Sequence, residues 1–336
     1  MSPTAQSVID ERRSRQRQAA LSCTEDDIWN ASQTQGRTPF GAAKGFTYPV
    51  GSKDPEFFVK FTRSPSKWLL EPEKRNHEFA FNTLRIQQQP ASEQRKLIVC
   101  VPELFRAFEH RECYFLVMEH VPGKTLEQIL DEDDNEGAGE VDHSMLYEHI
   151  AEGIRLLCVR APPGSSPGPV GGGILRHPFF NDFEAATPYR DIEMLETHLN
   201  KVSRLRSRRS PNPPPTVSLE RELEFYYSYL CAGNFIFTTA ADHTALYIID
   251  FDEAGFLPPS FMTFVLHDTI RPLSVRVAEN IVGLIKPNED NLQAMSSISY
   301  FVLSAIYYFG GFNPVRFRGS VIPSRTSEYH KIISLT

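Results

Sequence analysis

FYYSYLCAGNFIF (225–237) and YIIDFDEAGF (247–256) are the stretches on which the reading of this chain turns. Each couples a short apolar, strand-like run to one polar side chain at its loop edge: Asn234 in the first, Asp250 in the second. Two neighbouring strands that deliver such groups point to a site for something charged. The loop before Asn234 carries Tyr227, Ser228 and Tyr229, where an acid or a base would be expected.

Working outward, EFFVKF (56–61) reads as a strand holding Lys60, and EPEKRNHEFAFNTLRI (71–86) as a helix with Glu78 among its charges. KLIVCVPELFRAF (96–108) and CYFLVMEHV (113–121) read as two further strands. The second is almost wholly apolar, as a strand buried on both faces would be. KTLEQIL (124–130) starts a helix, the acidic DEDDNEGAGEVD (131–142) reads as a solvated loop, and residues 143–160 resume a helical pattern. APPGSSPGPVGGG (161–173) is loop by its Pro and Gly content, and IEMLETHLNKV (192–202) is an amphipathic helix. SRLRSRRSPNPPP (203–215) is basic and then proline-rich, the composition of an exposed segment. Beyond residue 260 the pattern is mainly helical, and SISYFVLSAIYYF (297–309) reads as a buried helix, too short and too polar at its start to span a bilayer. Residues 1–34 are polar and read as a loosely packed arm or short helix.

The 336 residues, 41% hydrophobic and 23% charged, supply ample core, and the length suits one two-lobed domain or two small ones. A net charge of −7 argues against a nucleic-acid partner, which calls for a basic surface. The five cysteines are scattered without CxxC spacing or a companion His, which sets aside a disulfide framework or zinc site and fits a reducing, cytoplasmic compartment. The N-terminus has no apolar core, so no secretory signal is expected, and with no run long enough to span a bilayer no membrane partner is expected either.

A site for a nucleoside triphosphate with magnesium needs a strand lysine for the phosphates and a helix carboxylate to hold it. It also needs backbone groups for the base, an Asn and an Asp for the metal, and an Asp five residues before that Asn as proton acceptor. Lys60, Glu78 (with Glu71 and Glu73 as rivals), the strand end at Glu119, Asn234 and Asp250 occur in the required order. Any one of them alone is an ordinary strand-end, helix-surface or turn residue. The region 34–46, TQGRTPFGAAKGF, has glycines before the lysine strand but no GxGxxG.

In that order of residues, the chain resembles the aminoglycoside phosphotransferase/choline kinase group of kinase-like folds, particularly its fungal members. LVMEHVPGKTL (116–126) is similar to that family's hinge and linker, and VCVPELFRAF (99–108) to the segment before it. YIIDFDEAGFLPPSFM (247–262) is similar to its metal-binding strand and following turn, and GGGILRHPFFNDFEA (171–185) to an inserted segment. The resemblance covers roughly residues 45–265. It implies an α+β, protein-kinase-like bilobal fold: a polar arm (1–34), a small β-rich N-lobe with hinge (35–121) and a larger, mainly helical C-lobe (122–336). It further implies ATP and Mg2+ as cofactors. Lys60, Glu78, Glu119 and Val121 would bind the nucleotide, and Asn234 and Asp250 the metal.

The catalytic loop departs from the family's His-Gly-Asp-Leu-His-Pro-Gly-Asn pattern. Aligned on Asn234 it reads YSYLCAGN (227–234), with Tyr229 at the Asp position, Cys231 at the second His and Ala232 at the Pro. A tyrosine phenol, with an ordinary pKa of about 10, is protonated at neutral pH and does not accept the substrate's proton. Asp182, Glu184 and Asp252 are acids whose distance from Tyr229 the sequence leaves open, and Cys231 is a nucleophile candidate or a structural thiol. The expectation is a pseudokinase that binds ATP and Mg2+ without efficient transfer. The alternative is an active phosphotransferase acting on a hydroxyl or amino-alcohol with a non-standard base; a third reading is a ligand-free scaffold. The partners expected are a nucleotide and either a small-molecule acceptor or a protein.

Overall fold

Alternation of side chains along FFVKFTR builds the first functional feature. In the computed structural model, Phe57–Arg63 forms a strand (β2) whose Phe57, Val59 and Phe61 are buried in one cluster, while Phe58 and Lys60 point to the opposite face. The model describes residues 4–35, 43–63, 67–88, 97–136, 142–180, 183–207, 212–240, 243–267, 271–281 and 289–299. β2 lies between Lys44–Tyr48 (β1) and Cys113–Met118 (β5), and Leu104–His110 (β4) closes an antiparallel sheet of order β1-β2-β5-β4. β5 is buried on both faces, Phe115 and Val117 into one cluster and Leu116 and Met118 into the other, which explains its unbroken apolar run.

The segment 96–108 is not one strand. Leu97–Cys100 (β3) pairs in parallel with His243–Ile248 (β9), in a second sheet that also holds Phe235–Ala240 (β8) and Lys124–Thr125 (β6) in the order β3-β9-β8-β6. Pro102 disfavours continuation of a ladder at that point, and the chain crosses from the second sheet into the first. Glu224–Tyr227 (β7) and Ala254–Leu257 (β10) form a separate antiparallel pair.

Around these strands pack the helices Leu126–Glu136 (α4), Ser144–Leu157 (α5), Ile192–Arg206 (α6), Pro259–Leu266 (α7), Pro272–Ile281 (α8) and Glu289–Ile298 (α9). Their apolar faces share one large core with β7, β8, β9 and β10. The architecture is α+β and bilobal, with a β-rich N-terminal lobe and a mainly helical C-terminal one. Two charged segments are more helical than their composition foretells: α4 runs through Asp131–Glu136 of the acidic stretch, and α6 through Ser203–Arg206 of the basic one. The expectations for 36–42, 137–141, 208–211 and 300–309 lie outside the described residues.

The N-terminal segment is not a loose arm. Ala5–Ser22 (α1) and Glu25–Gln33 (α2) are helices capped by Thr4 and Thr24, the latter in a reciprocal capping box with Asp27. Ile9, Ala20 and Ile28 are fully buried. Polarity misleads here because Arg12 and Arg13 of α1 are used in ion pairs to the body of the protein rather than in solvent. Among the described residues no helix is long and apolar enough to cross a membrane.

Candidate functional site

Lys60 projects from β2 between two carboxylates, 2.7 Å from Glu73 and 2.9 Å from Asp250. Burial disfavours its charge, but Asp250 and Glu73 together more than offset that, and the pKa is raised above the ordinary lysine value. Burial, with the neighbouring Asp250 and Asp252, holds the Glu73 carboxyl above the usual range against the pull of Lys60. Two carboxyl groups thus share one cation.

The carboxylate that holds Lys60 is Glu73, not Glu78. Glu73 lies on Lys67–Gln87 (α3), in phase with buried Asn76, His77, Ala80 and Leu84 at helical spacing. Glu78 falls on the outer face and pairs with Lys74 at 3.3 Å. The period therefore held the answer, since a carboxylate in phase with the apolar face must meet a partner inside. Asn76, which the sequence did not single out, ties the same helix to the loop after Asp250. Its Nδ2 donates to the carbonyls of Phe251 (3.0 Å) and Ala254 (2.8 Å), and its Oδ1 accepts from Val170 N–H (2.9 Å).

Asp250 adopts φ 62° and ψ 77°, in the left-handed region that few non-glycine residues occupy. Such a conformation persists only where the surroundings enforce it, and it is a frequent mark of functional sites. The backbone of Ile249 donates to Asn234 C=O at 3.0 Å, so the two metal-type residues stand at adjoining ends of β8 and β9. Asn234 is buried, and its Nδ2 donates to Tyr229 C=O at 3.1 Å, which orients the amide and closes the loop. One carboxylate and one amide suit magnesium, which retains water and takes further oxygens from phosphates. Among the described residues no cluster of three or more His, Cys, Asp or Glu could hold a metal alone.

Two of the rival acids have a partner of their own. Asp252 is ion-paired with Arg176, and Glu184 lies 3.2 Å from Arg176 Nε, so both serve to anchor the inserted segment. Asp182 lies outside the described residues. Burial of the Cys231 sulfur pushes its thiol pKa up although the residue reaches the surface, which leaves it a poor nucleophile. Tyr229 packs at the margin of the large core. Glu127, in the first turn of α4, is a further carboxylate near the loop, 3.2 Å from where a Cβ on Gly233 would stand.

At the hinge, residues 119–123, the side chain and the backbone of Glu119 have separate roles. Its carboxylate is fully buried and receives Arg12 and Arg13, each at 2.7 Å. Its C=O, and the N–H of Val121, have no hydrogen-bond partner among the described residues, although both residues are buried. Buried backbone groups are nearly always paired. An acceptor and a donor two residues apart are the groups that the edge of an adenine would satisfy.

Glu253 braces the loop before Asn234 through Ser228. Its backbone C=O accepts from Ser228 N–H (3.0 Å) and Ser228 Oγ (2.9 Å), and its carboxyl is pushed up to about 7 by burial. A raised carboxyl pKa means that the folded state holds the proton longer than the unfolded chain. Its contribution to stability therefore falls as pH rises from 4.5 to about 7, by on the order of 3 kcal/mol. His77 and His177, lowered by burial to about 4 and about 3, work in the opposite sense and gain stability as pH rises to 6.5. We expect Glu253→Gln to show a steeper rise in urea midpoint between pH 4.5 and 7 than wild type; parallel profiles would refute the assignment.

No protein-family model matches the chain, and neither does any curated protein. Among solved structures, one titled "Putative fructosamine-3-kinase" from Haemophilus somnus 129PT is similar in outline, with a TM-score of 0.43 and 11% identity over 84% of this chain and 90% of that one. Likeness at that level supports no statement about residues or substrate.

Proposed function

We propose that the cleft binds ATP with Mg2+ and that phosphoryl transfer from it is impaired. The observation that carries this reading is Lys60 held between Glu73 and Asp250, with Asn234 beside Asp250 and a tyrosine where the proton acceptor would be. Bound nucleotide would supply the transferable phosphoryl group, and the metal would neutralise the charge that develops on it. Lys60 would hold phosphate oxygens, Glu73 would keep Lys60 placed, and Asn234 and Asp250 would hold the metal. Glu119 C=O and Val121 N–H would hold the base. Tyr229 offers no acceptor for a substrate hydroxyl, and Asp252 and Glu184 are paired with Arg176.

The test is thermal unfolding with ATP, with and without Mg2+. A ligand that binds only the folded state raises the unfolding temperature, by about 2.7 kcal/mol of stability at a hundredfold excess over Kd. We expect a magnesium-dependent rise that Lys60→Ala, Glu73→Ala and Asp250→Ala lose and that Glu78→Ala retains. Absence of any shift in the wild type would overturn the reading in favour of a scaffold. A shift lost in Glu78→Ala but kept in Glu73→Ala would overturn the assignment of the lysine's partner.

A further inference from the structure

Helix α1 runs behind both lobes. Ala20 near its C-terminal end belongs to the N-lobe cluster with Phe57, Val59 and Phe115, while Ala5 and Ile9 near its start pack with Val121 of the hinge and with Ala245 and Tyr247 of β9. Between these anchors, successive turns of the helix reach the hinge. Arg12 and Arg13 converge on the Glu119 carboxylate, and Arg13 Nη2 also donates to Val101 C=O at 3.1 Å. One turn on, Gln16 meets both backbone groups of His120: its Nε2 donates to His120 C=O and its Oε1 accepts from His120 N–H, each at 3.0 Å. Gln16 is itself buried, so this reciprocal pair is shielded from water.

The consequence lies on the other edge of the hinge. In an extended chain, successive residues turn their polar groups to opposite sides. Gln16 takes the side of His120. The side of Glu119 and Val121 is the other one, where Glu119 N–H donates to Glu103 C=O at 2.8 Å and the next two groups, Glu119 C=O and Val121 N–H, have no partner among the described residues. A hinge fixed from behind by one side-chain amide cannot rotate its peptide planes without breaking two hydrogen bonds. Its free acceptor and donor therefore keep one orientation toward the cleft.

We infer that α1 is a positioning element of the nucleobase subsite: Gln16, with Arg12 and Arg13 on Glu119, holds Glu119 C=O and Val121 N–H as an acceptor–donor pair for a purine with an adenine-type edge. This rests on the nucleotide-binding reading above. It adds that recognition of the base, as distinct from the phosphates, depends on the N-terminal helix.

The experiment measures the affinity of the full chain for ATP and for inorganic tripolyphosphate, both with Mg2+, by titration calorimetry at a temperature where every variant is folded. Gln16→Ala should weaken ATP about tenfold, the loss of a pair of shielded hydrogen bonds, and leave tripolyphosphate within about twofold. Arg17→Ala, which removes only the exposed pair to Glu103, should change neither. If Gln16→Ala does not fold, Gln16→Glu serves in its place, since it keeps the acceptor for His120 N–H and loses the donor. Equal losses for both ligands, or no loss for either, would refute the positioning role. Wild type that binds tripolyphosphate but not ATP would also refute it, while leaving the phosphate half of the site intact. Wild type that binds neither would instead remove the functional reading on which it rests.

Discussion

Replacing Tyr229 with Asp should raise phosphoryl transfer from ATP to a hydroxylated acceptor by about 10²–10⁴-fold over wild type, the usual contribution of a positioned acid–base group. That gain is about 3–5 kcal/mol of barrier. The expectation depends on the loop being built for such a residue. The backbone of position 229 is fixed from two sides, its C=O accepting from Asn234 Nδ2 at 3.1 Å and from Cys231 N–H at 2.8 Å. Ser228 is fixed in turn by Glu253 and by Arg271, whose Nη1 donates to Ser228 C=O at 3.0 Å. A shorter acidic side chain would leave that same anchored backbone, freed of the ring that packs against the core margin. Radiolabelled ATP with a panel of amino-alcohols and sugars gives the rate, and Tyr229→Asp combined with Asp250→Ala should return it to baseline. No gain while magnesium-dependent ATP binding persists would show that Tyr229 is not the only defect. A wild type already as fast as the variant would establish an active phosphotransferase with an unusual base.

Glu119→Ala should destabilise the protein by about 3–5 kcal/mol, the range for removing one partner of a buried ion pair. The carboxylate is fully buried and the arginine side chains that converge on it are only 14% and 11% exposed. It also accepts from Tyr247 Oη and Glu103 N–H, each at 3.1 Å. Its removal leaves two cations, a phenol and a backbone N–H without their shared acceptor. Arg17→Ala should cost under about 1 kcal/mol, because that pair is open to solvent. Urea unfolding midpoints compare the two. A loss at Glu119 no larger than that at Arg17 would mean that α1 contributes little to the fold. The resemblance assigns Glu119 to the nucleotide, whereas the structure gives its side chain to the N-terminal helix.

That Lys60, Asp250 and Asn234 come together was legible because strand and loop residues carry their orientation in the sequence. Lys60 alternates with Phe57, Val59 and Phe61, so its face follows from the period of two. Asn234 and Asp250 end apolar runs, and runs that end in polar groups deliver them to a common edge once the strands pair. The helix partner was harder to place, because α3 presents several acids and only the phase of its buried face selects Glu73. The docking of α1 was not legible at all. Its composition is polar, and a polar helix reads as solvated unless its partner charges are known. Those partners, Glu119 and Glu103, lie about a hundred residues away in sequence and meet it only after both sheets have formed.

The order of local elements, the β-rich first lobe, the helical second lobe and the absence of an acid from the loop before Asn234 follow from the sequence alone. They depend on near-neighbour periodicity and side-chain chemistry, which the chain carries without reference to its folded form. The division of residues 96–108 between two sheets, the capture of Asp252 by Arg176 and the clamp of α1 on the hinge were decided only in three dimensions. Each is a choice among groups of equal local propensity. Burial makes the difference, because a charge or amide withdrawn from water is stable only beside its partner, and which partner arrives is fixed by packing distant segments together.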